Sequence, residues 1–372
     1  MEPEVDEEIK RRQGMRLREG EATWLLTVLL TSKILFAGIG RFVAVSGTAG
    51  WLQSIWCVFV ALVIFRVLCR LYRPFEGKDM MAVAELGMGV GARVLVGVLV
   101  SGALMLHTAL MLRIYADTVS ALTLFESPLF FVLLFFAATM MAGAFAGLGG
   151  LARICMVAGV VLGGMLALLL FLSVPRFTIE NLFPILGKGV PAVLGGLDGL
   201  EIFSDVALLF LITPHLNRDG AYRRVGTRAL VWSGVTVTAF VLVYLLCVPY
   251  PAATQFKLPM LEIAGGVNAD VVFQRAEGIF LLVWIFAGFL SLCITFYLSL
   301  YSFSRAAFLS DRRGVTAAFL VIAVALALIP GADGSYARYY QVFFLGYTVF
   351  AFGLPAVLAV GARLCAGKGA QE

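Results

Sequence analysis

The chain has 372 residues, 61% of them hydrophobic and 14% charged, with a net charge of +5 and a mean hydropathy of +0.97. A soluble globular domain is nearer a quarter charged, so this composition excludes one and marks an integral membrane protein. Six scattered cysteines without a CxxC, and two histidines in all, leave little material for metal, disulfide or histidine-based chemistry, and neither a metal nor another cofactor is expected.

A leader over residues 1–21, acidic and then basic, lacks a small-residue cleavage site and reads as cytoplasmic rather than as a signal peptide. Apolar runs able to cross about 30 Å of hydrocarbon then recur along almost the whole chain. About ten spans are expected. Spans 1 to 5 run from Ala22 to Val45, Trp51 to Tyr72, Arg93 to Leu124, Pro128 to Gly147 and Leu151 to Val174. Spans 6 to 10 run from Val190 to Thr213, Arg228 to Val248, Val271 to Ser304, Val315 to Ile329 and Tyr339 to Arg363. Residues 22–363 thus form one transmembrane domain, followed by a cytoplasmic tail, 364–372. The 2–3 segment MMAVAELGMGVGARV is amphipathic and is expected along the inner surface. Its GxGxxxR follows no strand, so a nucleotide-binding loop is not indicated.

Orientation follows from the basic residues. The leader, the tail, Arg153 and the 2–3, 6–7 and 8–9 connections hold 19 of the 28 Lys and Arg. The opposite side holds Arg176, Lys188, Lys257, Arg275 and Arg338. Both termini are therefore expected in the cytoplasm. The charge is explained by this placement, and no nucleic-acid partner is needed.

Span 6, GVPAVLGGLDGLEIFSDVALLFLITP, carries Gly195, Gly196 and Gly199 with Asp198, Glu201 and Asp205. Carboxylates at membrane depth are costly and usually face a cavity or a partner. Clustered glycines weaken the helix and free backbone groups that need partners. Span 1 is also interrupted, with Thr31, Ser32 and Lys33 near its middle and Gly38 and Gly40 just beyond. Spans 3 and 8 are both unusually long. Matches five spans apart imply two halves, 22–174 and 190–363, inserted in opposite directions. Broken helices at matching positions of such halves point to a secondary-transporter fold with a site near the midplane.

Several stretches carry a family resemblance: LTSKILFAGIGRFVAVSGTAGWL near the start, ENLFPILGKGVPAVLGG before the broken span 6, LFLITPHL after it, and FKLPMLEIAGGVNADVVFQRAEGIFLLVWIFAGFL leading into span 8. Together these resemble the GerAB-like B subunits of spore germination receptors, within the amino acid–polyamine–organocation transporter superfamily. The resemblance runs from about Glu19 to Arg363, with the family's frequent Glu shortened here to Asp205. It implies an all-α, LeuT-like fold of ten spans, built as a 5+5 inverted repeat with broken helices 1 and 6. It also implies a small nutrient germinant, often an amino acid, and a complex with an A subunit and a C-subunit lipoprotein in the spore's inner membrane.

In such a fold the half-helix ends at the two breaks offer free N–H groups to an anion and carbonyls to an ammonium. Thr31, Ser32, Lys33, Gly38, Gly40, Gly195, Gly196, Asp198, Gly199 and Glu201 are the candidate ligand-binding residues. Phe203, Tyr115 and Trp284 are candidate walls by depth. Close helix packing through small residues is the plain alternative for the glycines. Lys33 is read as a stand-in for a bound cation, a partner of Asp205 or Glu201, a contact to a ligand carboxylate, or a snorkelling side chain. At the helical rise Asp198 and Glu201 lie nearer the midplane and Asp205 deeper, which suits gating or coupling. His107, mid-depth in span 3, and Arg275 and Glu277, opening span 8, are the other gating candidates. Arg113 and Asp117, four apart, are expected to pair locally. No activated nucleophile is present, so an enzyme is not expected. A ligand-sensing receptor subunit, a proton- or sodium-coupled amino acid transporter, and an assembly subunit with a vestigial site remain the competing readings.

Overall fold

The computed structural model describes residues 16–34, 38–122, 128–218, 220–256, 259, 276–309, 312–329 and 336–368. Apart from one isolated β-bridge, the regular elements among them are helical. Six helical stretches of the described residues are long and apolar enough to cross a bilayer.

Helix α1 (Glu19–Ser32) buries Leu25, Leu26, Val28, Leu29 and Leu30 on successive faces, as an interior helix that is apolar all round must. Its α-helical part ends at Ser32 with Lys33 as C-cap, Ile34 and Gly38 are in π-helical conformation, and α2 (Ile39–Ser46) follows. Helix α3 (Gly50–Tyr72) follows, then the short α4 (Met80–Met88) and the long α5 (Val90–Leu122).

Helix α6 (Leu129–Leu172) has 44 residues, about 66 Å at about 1.5 Å per residue, or twice the depth of a bilayer core. Gly147 within it has φ 69°, a left-handed value that glycine adopts without a Cβ penalty. The chain bends there. A Cβ on Gly143 would lie 3.4 Å from Leu151 Cδ2, whereas eight residues of straight helix would separate them by about 12 Å. The element therefore contains both of the expected spans 4 and 5.

Span 6 is broken into α7 (Val190–Gly195), α8 (Leu200–Ser204) and α9 (Leu209–Ile212), with 3-10 turns at Asp205–Leu208 and Thr213–His215. Then come α10 (Ala221–Cys247), α11 (Tyr250–Ala253), α12 (Ala276–Ala306), α13 (Arg313–Leu328) and α14 (Tyr336–Lys368). Helix α1 packs against α10, α6 and α12, while α5 packs against α12, α4, α13 and α6. Large apolar residues such as Phe131, Trp232, Val321 and Val342 face outward, which a bilayer explains and water would not.

The end of the molecule that carries most of the Arg and Lys is pinned by charge. Asp79 is fully buried. Its carboxylate accepts the Ala82 N–H at 2.8 Å, capping α4, and the Arg305 Nη2 and Nε donors at 3.0 and 3.2 Å. Helix α4 packs on α14 and α5, so closely that a Cβ on Gly87 would meet the Ala362 backbone at 2.8 Å. The 2–3 segment is thus a packed helix with one buried face (Met80, Met81, Val83, Ala84) and an exposed Leu86 and Met88. Ahead of α1, the Leu17 N–H donates to the His215 carbonyl at 2.6 Å and the Asn217 N–H to that of Leu17 at 3.1 Å.

Candidate functional site

The two breaks meet, and four charges lie where they do. Lys33, the C-cap of α1, is buried and its Nζ stands 2.7 Å from Oδ2 of Asp205. The same ammonium donates to the Glu201 carbonyl at 3.1 Å, a carbonyl beside the unwound part of span 6. The Tyr347 hydroxyl donates to the other Asp205 oxygen at 2.9 Å. The rings of Phe344 and Tyr347 lie 5.8 and 5.7 Å from Nζ, and their quadrupoles favour a cation there. An ammonium so placed has traded water for a carboxylate, a carbonyl and two ring faces.

Eight residues further along the chain, Arg41 of α2 forms an ion pair with Glu201. Its guanidinium lies 4.6 Å above the Tyr340 ring, and the Tyr340 hydroxyl reaches Glu201 Oε1 at 3.4 Å. Two similar triads are therefore stacked. Each takes a cation from span 1, a carboxylate from span 6 and a tyrosine from α14. The charges sum to zero, which makes burial of all four tolerable. The triads differ in access: the Lys33 and Asp205 side chains are 2% and 0% exposed, that of Arg41 21%.

Packing fixes the breaks from the other side. The Gln53 amide, fully buried in α3, accepts from the Ser46 hydroxyl at 2.7 Å and donates to the Gly196 carbonyl at 2.8 Å. This joins the end of α2 to the unwound stretch of span 6 and satisfies a carbonyl that the break left without a helical partner. Trp56 Nε1 donates to the Leu194 carbonyl at 3.0 Å, and Lys188 Nζ to that of Ala44 at 2.6 Å.

The candidate glycines separate into two kinds. A Cβ on Gly199 would strike the Phe42 ring at 2.2 Å, one on Gly196 would meet Gln53 Nε2 at 2.4 Å, and one on Gly38 would meet Ile202 at 3.0 Å. These three serve close packing. Gly40 and Gly195 face open space and are the positions where a ligand has room to approach the backbone.

Of the acids, Glu201 and Asp205 join the cluster but Asp198 does not; it lies exposed on the turn between α7 and α8, within electrostatic reach of Arg41. Span 6 unwinds at Gly196–Gly199, which leaves Asp198 outside its helical segments. Lys33 does not snorkel. It is paired with Asp205 through its carboxylate and with Glu201 through its backbone.

His107 is buried beside the inner triad, 4.7 Å from the Tyr347 ring and 5.0 Å from that of Phe344. Phe203 is fully buried. Tyr115 directs its hydroxyl towards Ser32 and Ser291 and meets Trp284 edge-on at 6.3 Å, so both pack beside the first break. Thr31 and Ser32 line a separate cavity on another face of α1. The Arg113–Asp117 pair forms at 2.8 Å, and Arg113 also holds the Ala327 carbonyl. Arg275 and the Glu277 side chain lie outside the described residues.

Arg41, Gln53, Tyr340, Phe344 and Tyr347 are site residues that the sequence reading passed over. The signals were present. Tyr340, Phe344 and Tyr347, spaced by four and three, mark one face of a helix, and Gln53 is an amide inside an apolar span.

The family described as spore germination protein, of spore permease type, matches residues 23–334. No curated protein matches the chain. Among solved structures the chain is similar to a Na+-coupled sialic acid symporter in a substrate-bound, outward-open state. The two are 13% identical with a TM-score of 0.63, over 94% of this chain and 80% of the symporter. It is also similar to Mhp1, a nucleobase-cation-symport-1 family transporter in a closed conformation with bromovinylhydantoin bound. There the identity is 14% and the TM-score 0.59, over 91% of this chain and 77% of that one. The fold is thus the LeuT-like fold of such transporters, with helices 1 and 6 broken, and the neighbours are transporters rather than enzymes. The chain is an integral membrane protein and belongs to the spore germination protein family.

Proposed function

We propose that this chain is the membrane-embedded B subunit of a nutrient germinant receptor in the inner membrane of the spore, with both termini cytoplasmic. It binds a small germinant, an amino acid, between the broken spans 1 and 6. The change in the breaks then passes to an A subunit and a C-subunit lipoprotein. One observation carries the reading: two cation–carboxylate–tyrosine triads bridge the two breaks in a member of a germination family. An amino acid zwitterion presents a carboxylate and an ammonium, the same charges that Arg41 and Glu201 present to each other. Exchanging that internal pair for two ligand contacts leaves the net charge unchanged, and avoids the cost of burying an unpaired ion. A ligand moves the protein only by its differential affinity for two states, and a pair present in one state and opened in the other supplies that difference.

A coupled amino acid transporter is the second reading, favoured by the two symport-type neighbours. The deciding experiment compares spores lacking this gene with wild type on a panel of amino acids, sugars and nucleosides. Uptake of the radiolabelled compounds by the purified protein in liposomes is measured alongside. The receptor reading expects loss of the response to one germinant class without uptake. Normal germination on every compound, together with uptake, overturns it.

A further inference from the structure

A cavity of about 330 Å³ lies between α1, the second half of α6, α10 and α12. That is within the range of roughly 300–1,000 Å³ typical of small-molecule pockets. Among the described residues its wall carries no charged side chain. Two indoles, Trp24 and Trp232, flank it, and Thr27, Thr31, Ser32 and Thr236 supply hydroxyls. Trp232 is 61% exposed on the outward, bilayer-facing surface. Leu162 and Val283 belong also to a groove of about 690 Å³ between α6 and α12 whose described lining is apolar but for Arg153, so the cavity adjoins the bilayer-facing surface.

The hydroxyls around it differ in one respect. Those of Thr27 and Thr236 donate to the carbonyl four residues back, at 2.8 and 2.9 Å, and that of Ser32 to the Leu29 carbonyl at 2.9 Å. This is the usual way for a hydroxyl on an apolar helix to be satisfied. The Thr31 oxygen is buried and has no hydrogen-bond partner among the described residues, although the Thr27 carbonyl lies four residues before it. A buried hydroxyl without a partner is costly, and this one borders the cavity.

We infer that the cavity is a second ligand site, apart from the space between the breaks, that takes a neutral, membrane-soluble amphiphile with a compact apolar body and one hydroxyl. The uncharged wall excludes ions, the indoles fit an apolar or aromatic body, and Thr31 provides the polar contact. Thr31 lies about 200° around the helix from Lys33, so an occupant presses on the last turn of α1 from a face other than the one that meets Asp205. The site therefore modulates the first break without competing for it. This inference does not rest on the chain being a germinant receptor.

The test uses the full chain in nanodiscs, titrated with benzyl alcohol and, separately, with toluene, which lacks the hydroxyl. Tryptophan fluorescence is the readout, since Trp24 and Trp232 border the cavity. A Cβ on Gly163, a wall residue, would meet nothing within 4 Å, so a side chain placed there starts into open space, and Gly163→Leu is chosen to fill the cavity. The expected result is a saturable change in wild type, shifted at least tenfold to higher concentration in Gly163→Leu. Thr31→Val weakens benzyl alcohol severalfold and leaves toluene unchanged, and this contrast decides the matter if Gly163→Leu does not fold. A linear, non-saturable response, or equal benzyl alcohol affinities in wild type and Thr31→Val, overturns the proposal.

Discussion

The inner and outer triads both draw on span 1, span 6 and α14 and on the same three kinds of group, yet they are held differently. Lys33, Asp205 and Tyr347 are sealed by Phe344, His107 and the core. Arg41, Glu201 and Tyr340 close over them with the Arg41 side chain 21% exposed. Water screens an ion pair in proportion to its access, so the same chemistry is worth more in the inner position and is exchanged more readily in the outer one. In the proposed function the inner triad is therefore the structural one and the outer triad the one that exchanges.

The largest effect is expected at the inner triad. Lys33→Met keeps an unbranched side chain one atom shorter and leaves the Asp205 carboxylate buried without its cation, which costs about 3–5 kcal/mol. Thermal unfolding of the purified protein in detergent should show this, and adding Asp205→Leu should recover much of it. Equal loss in the single and double variants would mean that the two side chains act independently. Arg41→Met should cost less, about 1–3 kcal/mol, between the values of a surface and a buried pair. A cost equal to that of Lys33→Met would erase the distinction between the triads.

The tyrosines sharpen the same contrast. Tyr347→Phe removes a 2.9 Å bond to a buried carboxylate and should cost about 1.5–3 kcal/mol, the usual range for a bond to a charged group. Tyr340→Phe removes a contact of 3.4 Å and should cost less than Tyr347→Phe in the same assay. The reverse order would place the tighter network outside.

The smallest effect is at the leader end of α1. There the Arg224 guanidinium, hydrogen-bonded to Glu19, holds that carboxyl below its ordinary value of 4.5. A depressed folded value stabilises the contact above the unfolded one and releases it as pH falls through the folded one. Stability should therefore be flat near neutrality and decline below about pH 4.5, with the Glu19→Gln variant losing that part of the decline. An identical acid profile in the variant would remove Glu19 from the linkage.

Much of this arrangement was legible in the sequence because a bilayer enforces it. Charge at depth is rare enough that Lys33, Glu201 and Asp205 were notable, and the paired glycine interruptions gave the five-span offset. Their partners were not legible. The contacts of Arg41 with Glu201 and of Tyr347 with Asp205 join segments more than a hundred residues apart, and depend on how each helix is rotated, which no local pattern encodes. Asp198, a candidate alongside Glu201, stays outside the ion-pair cluster because the chain unwinds between Gly196 and Gly199. The leftover hydroxyl at Thr31 was named as a site residue, yet only the packing of α6, α10 and α12 shows that it faces away from the charges.

In the proposed function the outer pair opens to the ligand while the inner pair stays closed. The direct measurement is the coupling energy of each pair, from double-mutant cycles on thermal stability. Cycles with Arg41→Met and Glu201→Gln, and with Lys33→Met and Asp205→Leu, would be run with and without a saturating amount of the germinant identified by the deletion panel. The Arg41–Glu201 coupling is predicted to collapse when germinant is present, with the Lys33–Asp205 coupling unchanged. Couplings that do not respond to germinant, or a collapse confined to the inner pair, would contradict the account.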